Sequence, residues 1–468
     1  MCKAVKKPHN GTKSDQSEAD KKITAQMYNN LLFELTPALQ NQRFLATDLG
    51  KLHQSIPFTS LSSLIPLPQG KMSGKGCKSW LTVEGGIALL IAKHYLQLSD
   101  AMLVERLNTD WALQMFCGIS LKVYEKIKDR DLPGRWRKYI GQHLDIDKWQ
   151  VHLASEWKAD MTNTQMGFTD ATCYESYVTY PTDAKLIWKC CQEVFNLINR
   201  IRKELKLRRS RANHDKHKKH YLHYAKSKKK TNHGRKKLCR SLLKYLDRLL
   251  QLANELLQKP MKRRHLNRLP TIEQIKQQQW SIYFGKQTTV PDRIVSLHKP
   301  YIRPIKRGKE TKPTEFGAKV NKLQVDGISF IEHLSFDAFN EGIRMQSTID
   351  MQRRYFGKCS QMGADTIYGT NENRKYCTAE HIATCFKPKG KQGRQAEQKS
   401  QMRTILGKVR STHLEGSFGN EKQHYLLDKI KARTQQTEIA WIFFGMLTSN
   451  AVKITKRRSK STSLSKAA

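Results

Sequence analysis

Three acids stand where their neighbours suit catalysis more than packing. Asp170 lies near the head of the β-favouring run Gly167-Phe-Thr-Asp-Ala-Thr-Cys-Tyr-Glu-Ser-Tyr-Val-Thr-Tyr180, although Asp is depleted in strands. Asp365 follows Gly363-Ala364 and precedes Tyr368-Gly369. Glu415 sits in His413-Leu-Glu-Gly-Ser-Phe-Gly-Asn420. One isolated acid is usually structural or solvent-facing, so the signal here is joint. Three carboxylates brought together by a fold can hold a pair of hard cations through oxygen ligands, the arrangement that serves phosphoryl transfer.

Those acids need elements to gather them. Residues 167–180 read as one strand and 363–367 as a second, short one. Glu415 falls near the start of a final helical region that runs from Lys408 through Trp441. Residues 317–325 and 328–334 alternate around Asp326-Gly327, a two-residue hairpin signal. Residues 345–355 and 372–381 read as helices and 382–387 as another strand. Strands interleaved with helices make this half of the chain α/β or α+β.

The rest reads as helical. A helical pattern begins around Ala25 and runs toward Leu39. Ile87, Leu90, Ile91, Tyr95 and Leu98 recur at helical spacing, Ser99-Asp100 offers a cap, and Leu103, Leu107 and Leu113 continue. Such a helix-cap-helix unit either lays a helix on DNA or packs a core, and spacing leaves both open. Beyond Pro181, Ile187, Cys191, Val194, Ile198, Ile201 and Leu205 recur at steps of four and three, as do Leu242, Leu246, Leu249, Ala253 and Leu256. Two long helices side by side follow, joined by a hydrophilic segment over 208–235.

Charge narrows the partner. The 468 residues carry 84 Lys and Arg against 41 Asp and Glu, a formal net charge of +43, and that excess calls for a polyanion. Between Arg200 and Arg240 there are 18 basic residues and two acids, Glu204 and Asp215. Two readings stand: a solvated charge run, or a phosphate-backbone surface through Lys228, Lys229, Lys230, Arg235, Lys236 and Lys237. His214, His217, His220 and His223 could form a metal stripe, but the lysines among them repel cations. The ten cysteines include no C-x-x-C pair, which indicates reduced thiols rather than a zinc knuckle or a disulfide framework. No apolar run is long enough to span a bilayer, and none follows the basic start as an export signal would.

The flanks of the acids carry a family likeness. Asp170-Ala-Thr172 with Tyr180-Pro-Thr-Asp183, Pro304-Ile-Lys-Arg-Gly-Lys309 with Glu315-Phe-Gly317, Ala364-Asp365-x-x-Tyr368-Gly369-x-x-Glu372-Asn373, and Glu415-Gly-Ser-Phe-Gly419 occur in that order. The set resembles DDE transposases of bacterial insertion sequences, in particular the insertion-sequence-five-like group. It extends from about residue 80 to 450, because the stretch from Leu98-Ser-Asp100 to Phe116-Cys-Gly118 looks like the N-terminal helical domain of those proteins.

The resemblance implies an α+β fold: a ribonuclease-H-like mixed-sheet catalytic core, a long helical insertion and an N-terminal all-helical domain. The expected layout is a disordered basic leader over 1–22, a helical DNA-binding domain over 23–160 and a catalytic domain over 161–450. A basic helical insertion over 184–285 interrupts that domain, and a basic disordered tail covers 451–468. Asp170, Asp365 and Glu415 match the three metal-binding acids, for two Mg²⁺ ions with Mn²⁺ as substitute. Lys422, seven residues past Glu415, matches a basic position that holds DNA near the cut, though its pattern also suits a surface lysine. Relatives place Tyr and Arg seven and four residues before the glutamate, where this chain has Lys408 and Ser411, so Arg410 is the substitute if the register shifts. Glu175, Asp183 and Glu421 are the nearest other acids and are expected to tolerate substitution better than Asp170, Asp365 and Glu415.

The function implied is binding of terminal inverted repeats, metal-dependent DNA cleavage and strand transfer into target DNA by a homodimer or larger assembly. The place implied is a bacterial cytoplasm, at the nucleoid, with no membrane partner. A metal-dependent nuclease using the same acids, or a nonenzymatic DNA-binding protein descended from a transposase, are the alternatives.

Overall fold

The computed structural model describes residues 37–68, 79–122, 124–258, 268–306, 313–390 and 396–467. The expected leader and the helix start at Ala25 lie outside the described residues. Eight helices come first: α1 Pro37–Ala46, α2 Asp48–Gln54, α3 Phe58–Ser63, α4 Val83–Leu96, α5 Asp100–Leu107, α6 Trp111–Phe116, α7 Leu132–His143 and α8 Ile146–Trp157. Side-chain caps start several of them, with Thr82, Ser99 and Asp110 accepting backbone N–H groups of the first turn.

The sheet orders as β4 (Ile328–Ser335), β3 (Thr314–Val325), β1 (Met166–Ser176), β5 (Gln361–Ala364) and β6 (Ala383–Thr384). Short β2 (Pro304–Lys306) flanks β3, and β7 (Lys429–Ile430) pairs with the end of β1. β1 runs antiparallel to β3 and parallel to β5. This is the α+β, ribonuclease-H-like mixed sheet that the resemblance implies. Asp326 and Gly327 both have positive φ, 47° and 78°, so the β3–β4 hairpin turns where the dipeptide predicts.

Helices cover the sheet: α13 (Met345–Phe356), α14 (Asn371–Ala379), α15 (Ala396–Val409), α16 (Gly416–His424) and α17 (Gln435–Ala467). A π turn, Arg410–Glu415, joins α15 to α16. Phe168 of β1 packs with Leu406, Leu414 and Phe418 from this stretch. A Cβ at 363 would stand 2.5 Å from the Phe168 ring, so only glycine lets β5 close against β1 there.

One apolar core joins the N-terminal helices, the sheet and α17, from Phe44 to Ile454. α4 is buried almost all round, which makes it a core helix. Any DNA contact expected of 81–121 is therefore left to α5 and α6. α4 and α5 meet at a 111° bend and pass together as a span by length and composition. No single described helix is long and apolar enough to cross a membrane.

Residues 451–468, expected as a disordered tail, instead continue α17 as far as Ala467. Ala451 and Ile454 are buried, Arg457 pairs with Asp326 at 3.0 Å and Arg458 with Asp160 at 2.8 Å. Arg457 and Arg458 thus hold acids of this chain.

The insertion comprises α9 (Asp183–Glu204), α10 (His214–Lys226), α11 (Asn232–Leu257) and α12 (Leu269–Tyr283) around a core of its own. α9 and α11 lie side by side, as their periodicity predicts. The hydrophilic connection contains α10, which has no buried residue. His214 stacks on Phe195 at 4.0 Å and on Trp188 at 5.1 Å, and His217 stacks on Tyr245 at 4.0 Å. These two histidines dock α10, and no described cluster of His, Cys, Asp or Glu could hold a metal ion. Asp183 opens the excursion and fastens its end, accepting from the Tyr283 hydroxyl at 2.7 Å and from Arg293 at 2.6 Å. Asp183, one of the acids expected to tolerate substitution better than the three ligands, thus has a structural task in closing the insertion. The eight described cysteines are free thiols.

Candidate active site

The register of three strands sets the site. Thr169 of β1 lies beside Ala364 of β5, so Asp170 and Asp365 are the next residues along two adjacent parallel strands, which run about 4.8 Å apart. Asp365 then turns the chain, its Oδ1 accepting the Thr366 N–H at 2.7 Å at the start of a short 3₁₀ turn. The motif downstream fixes that turn. The buried Tyr368 hydroxyl bonds Asn321 of β3 at 2.5 Å, and the Asn373 amide donates to the Tyr368 carbonyl at 2.8 Å and to Gly342 at 2.6 Å. Tyr368 and Asn373 thereby aim Asp365.

Glu415 arrives from the π turn. In an α-helix, residues four apart share a face, whereas a π turn brings residues five apart into line. Arg410 lies five before Glu415, and its guanidinium stands 3.4 Å from Glu415 and 3.2 Å from Asp170. The shifted register required of Arg410 is what this turn supplies. The guanidinium joins two branches of the site, with Asp170 only 18% exposed and Glu415 57% exposed. Burial pushes the Asp170 carboxyl up to about 6; the Ala171 N–H and Arg410 draw it back, while Glu341 and Asp365 add to the rise. Glu341, held by Lys319 at 2.7 Å, is a fourth acid near the site that no sequence signal marks.

Beneath the acids lies a buried charge pair. Lys322 is the cross-strand partner of Asp170 and so projects from the same face. Its ammonium, fully buried, contacts Glu421 at 2.8 Å and the Ser417 hydroxyl at 2.7 Å, and stands over the Phe418 ring at 4.1 Å. Tyr174, two further turns of the pleat along β1, donates to the same Glu421 carboxylate. Burial lowers the Lys322 pKa, and Glu421 opposes that shift. Glu421, one of the acids expected to tolerate substitution better than the three ligands, is a buried ion-pair partner. Only the β1–β3 register reveals Lys322, and no local pattern does.

Lys422, the next residue of α16, reaches the same face of β1. Its ammonium donates to the Thr172 hydroxyl at 3.0 Å and lies 5.8 Å from the Tyr174 ring. Lys228, Lys229 and Lys230 occupy the turn between α10 and α11, and Arg235, Lys236 and Lys237 the first turns of α11; all six are exposed. They belong to the insertion, not to the acid site.

The donor set suits a hard divalent ion, being all carboxylate. Asp170 and Asp365 stand side by side, but no three metal-binding side chains among the described residues stand close enough to share an ion. Arg410 lies between Asp170 and Glu415, so gathering the third acid requires that guanidinium to turn aside.

Residues 362–450 match the family model of the transposase DDE domain. The protein carries a transposase DDE domain. Asp365, Arg410, Glu415 and Lys422 fall inside the matched residues and Asp170 precedes them. No curated protein matches the chain, and no solved structure does. Within the matched stretch, the turn after β5 and the π turn supply two of the three acids, and β1 brings Asp170 to them from outside it.

Proposed function

We propose that this protein is an insertion-sequence transposase of the insertion-sequence-five-like group, one that binds the terminal inverted repeats of its element, cleaves them and joins them to target DNA. The observation that carries the reading is the placement of Asp170 and Asp365 directly after the paired Thr169 and Ala364 of adjacent parallel strands, with Glu415 linked to Asp170 through Arg410, in a chain with a transposase DDE domain. Asp170, Asp365 and Glu415 would hold the divalent ions, Mg²⁺ or Mn²⁺. Such ions supply an activated water or hydroxyl and neutralise charge at phosphorus.

The remaining work belongs to the chain. Lys322 and Glu421 hold the floor under Asp170, so that its carboxylate keeps one direction. Lys422 offers an ammonium to a backbone phosphate beside the acids. Arg410 neutralises Asp170 and Glu415, and with those acids on a divalent ion its guanidinium would be available to a backbone phosphate. A larger assembly, dimeric or higher, would bring two element ends together, in a bacterial cytoplasm at the nucleoid.

The test is cleavage and strand transfer with the element's own ends in Mg²⁺ or Mn²⁺. Asp170→Asn, Asp365→Asn and Glu415→Gln should each lower cleavage by about 10³-fold or more, equivalent to about 4 kcal/mol of transition-state stabilisation. DNA affinity should change little. Undiminished turnover after exhaustive chelation of divalent ions would end the reading. Metal-dependent cutting with no joined product would favour the nuclease.

A further inference from the structure

A cleft of about 790 Å³ opens between α4 and α7 on one side and α16, β7 and the start of α17 on the other. Eight basic and three acidic side chains line it. The inner layer is already satisfied: Asp100 accepts Lys93 at 2.5 Å and Arg137 at 2.9 Å. Those two cations stand 4.8 and 4.5 Å from the centre of the Trp441 ring, while His94 meets the same ring edge-on and its indole N–H is bonded to Leu426. Trp441 is thus committed to the wall, and its ring is engaged before any base could stack on it.

The outer layer is different. Lys138, Lys429, Lys431 and Arg433 are exposed and take no ion pair among the described residues. Converging cations raise one another's energy unless an anion joins them. The cleft approaches the acid site through one residue. Lys422 lines it and bonds Thr172, which lies two residues along β1 from Asp170 and therefore on the same face.

We propose that this cleft holds the sugar-phosphate backbone of the DNA strand beside the phosphate being cut, through cationic donors alone and without reading base sequence. The inference rests on the DNA-cleaving function above and assigns that substrate a second, distinct contact. A single small anion would need one or two of these donors. A row of them leading from Lys422 to Lys138 suits a polyanion.

The experiment measures affinity of the full-length protein for a short duplex of arbitrary sequence across a salt series. Variant Lys138→Gln, Lys431→Gln, Arg433→Gln is compared with Lys51→Gln, Lys128→Gln, Lys158→Gln, which removes the same charge from exposed sites outside the cleft. Each phosphate contact contributes about 0.9 to the slope of log affinity against log salt, so the slope should fall by about 2 to 3 in the cleft variant and by less than about 1 in the control. In the unaltered protein, the duplex should shield Lys138, Lys429 and Lys431 from acetylation. Equal slopes in both variants, or no shielding, would overturn the proposal. Shielding by inorganic pyrophosphate but not by the duplex would also overturn it, making the cleft a small-anion site. Neither readout needs cleavage, so a protein that fails to cut element ends yet passes both would lose the proposed function and keep the cleft.

Discussion

At the residue scale, the buried Lys322–Glu421 pair decides which acids can be exchanged. A carboxylate removed from a fully enclosed pair leaves its partner charged without compensation, which costs about 3–5 kcal/mol, whereas replacing both charges is often nearly neutral. Glu421→Gln should therefore lower the unfolding free energy by several kcal/mol in urea titrations. Adding Lys322→Met should recover more than half of that loss. Full recovery is not expected, because Tyr174 also donates to Glu421 and its hydroxyl would be left with a weaker acceptor. Wild-type stability in Glu421→Gln would show that the pair does not hold the floor of the site. The three proposed ligands were legible from their flanks, since Tyr368-Gly369 and Asn373 carry a local signal. The charge pair was not legible, because Lys322 meets Asp170 only through strand register and Glu421 meets Lys322 only after α16 has packed.

At the element scale, the π turn is the device that brings Arg410 into line with Glu415. The spacing of the resembled family points to Lys408 and Ser411, seven and four residues before Glu415, positions that share its face in an unbroken α-helix. One extra residue in the turn moves the face by one position, which sequence spacing alone leaves open. The arrangement makes a sharp prediction. Arg410→Ser should weaken end cleavage by about 10-fold or more, through loss of the cation that would turn from Asp170 and Glu415 to a backbone phosphate. Moving the arginine to the α-helical spacing, by Arg410→Ser with Ser411→Arg, should restore none of that activity while the turn persists. Rescue by the moved arginine, measured in the same cleavage assay, would mean that the segment runs as a plain α-helix when it works. The hairpin at Asp326-Gly327 shows the opposite case: its dipeptide determines both backbone angles locally, so the sequence was enough.

At the scale of the whole molecule, two basic surfaces divide the charge excess, and they should be separable. The insertion has its own core, enters and leaves at Asp183, Tyr283 and Arg293, and carries its exposed cations on α10 and on the turn into α11. Its two long helices were legible because an apolar stripe with steps of three and four has one economical partner. The merging of the N-terminal helices into the sheet's core was not, since it depends on α17 packing against both. α17 also shows why a basic C-terminal stretch reads as a tail in the sequence: Arg457 and Arg458 are consumed by Asp326 and Asp160, acids far away along the chain. The cations of the insertion have few such partners. Replacing Lys228, Lys229, Lys230, Arg235, Lys236 and Lys237 by Gln should flatten the salt dependence of DNA affinity by as much as about 5 in log-log slope, at about 0.9 for each phosphate no longer neutralised. Discrimination between the element's end and unrelated duplex should persist, because phosphate contacts position DNA without specifying sequence. Thermal unfolding of the core should also be unchanged, as all six side chains are exposed. An unchanged slope would return this surface to a solvated charge run and leave the cleft beside Lys422 as the principal route for DNA into the site.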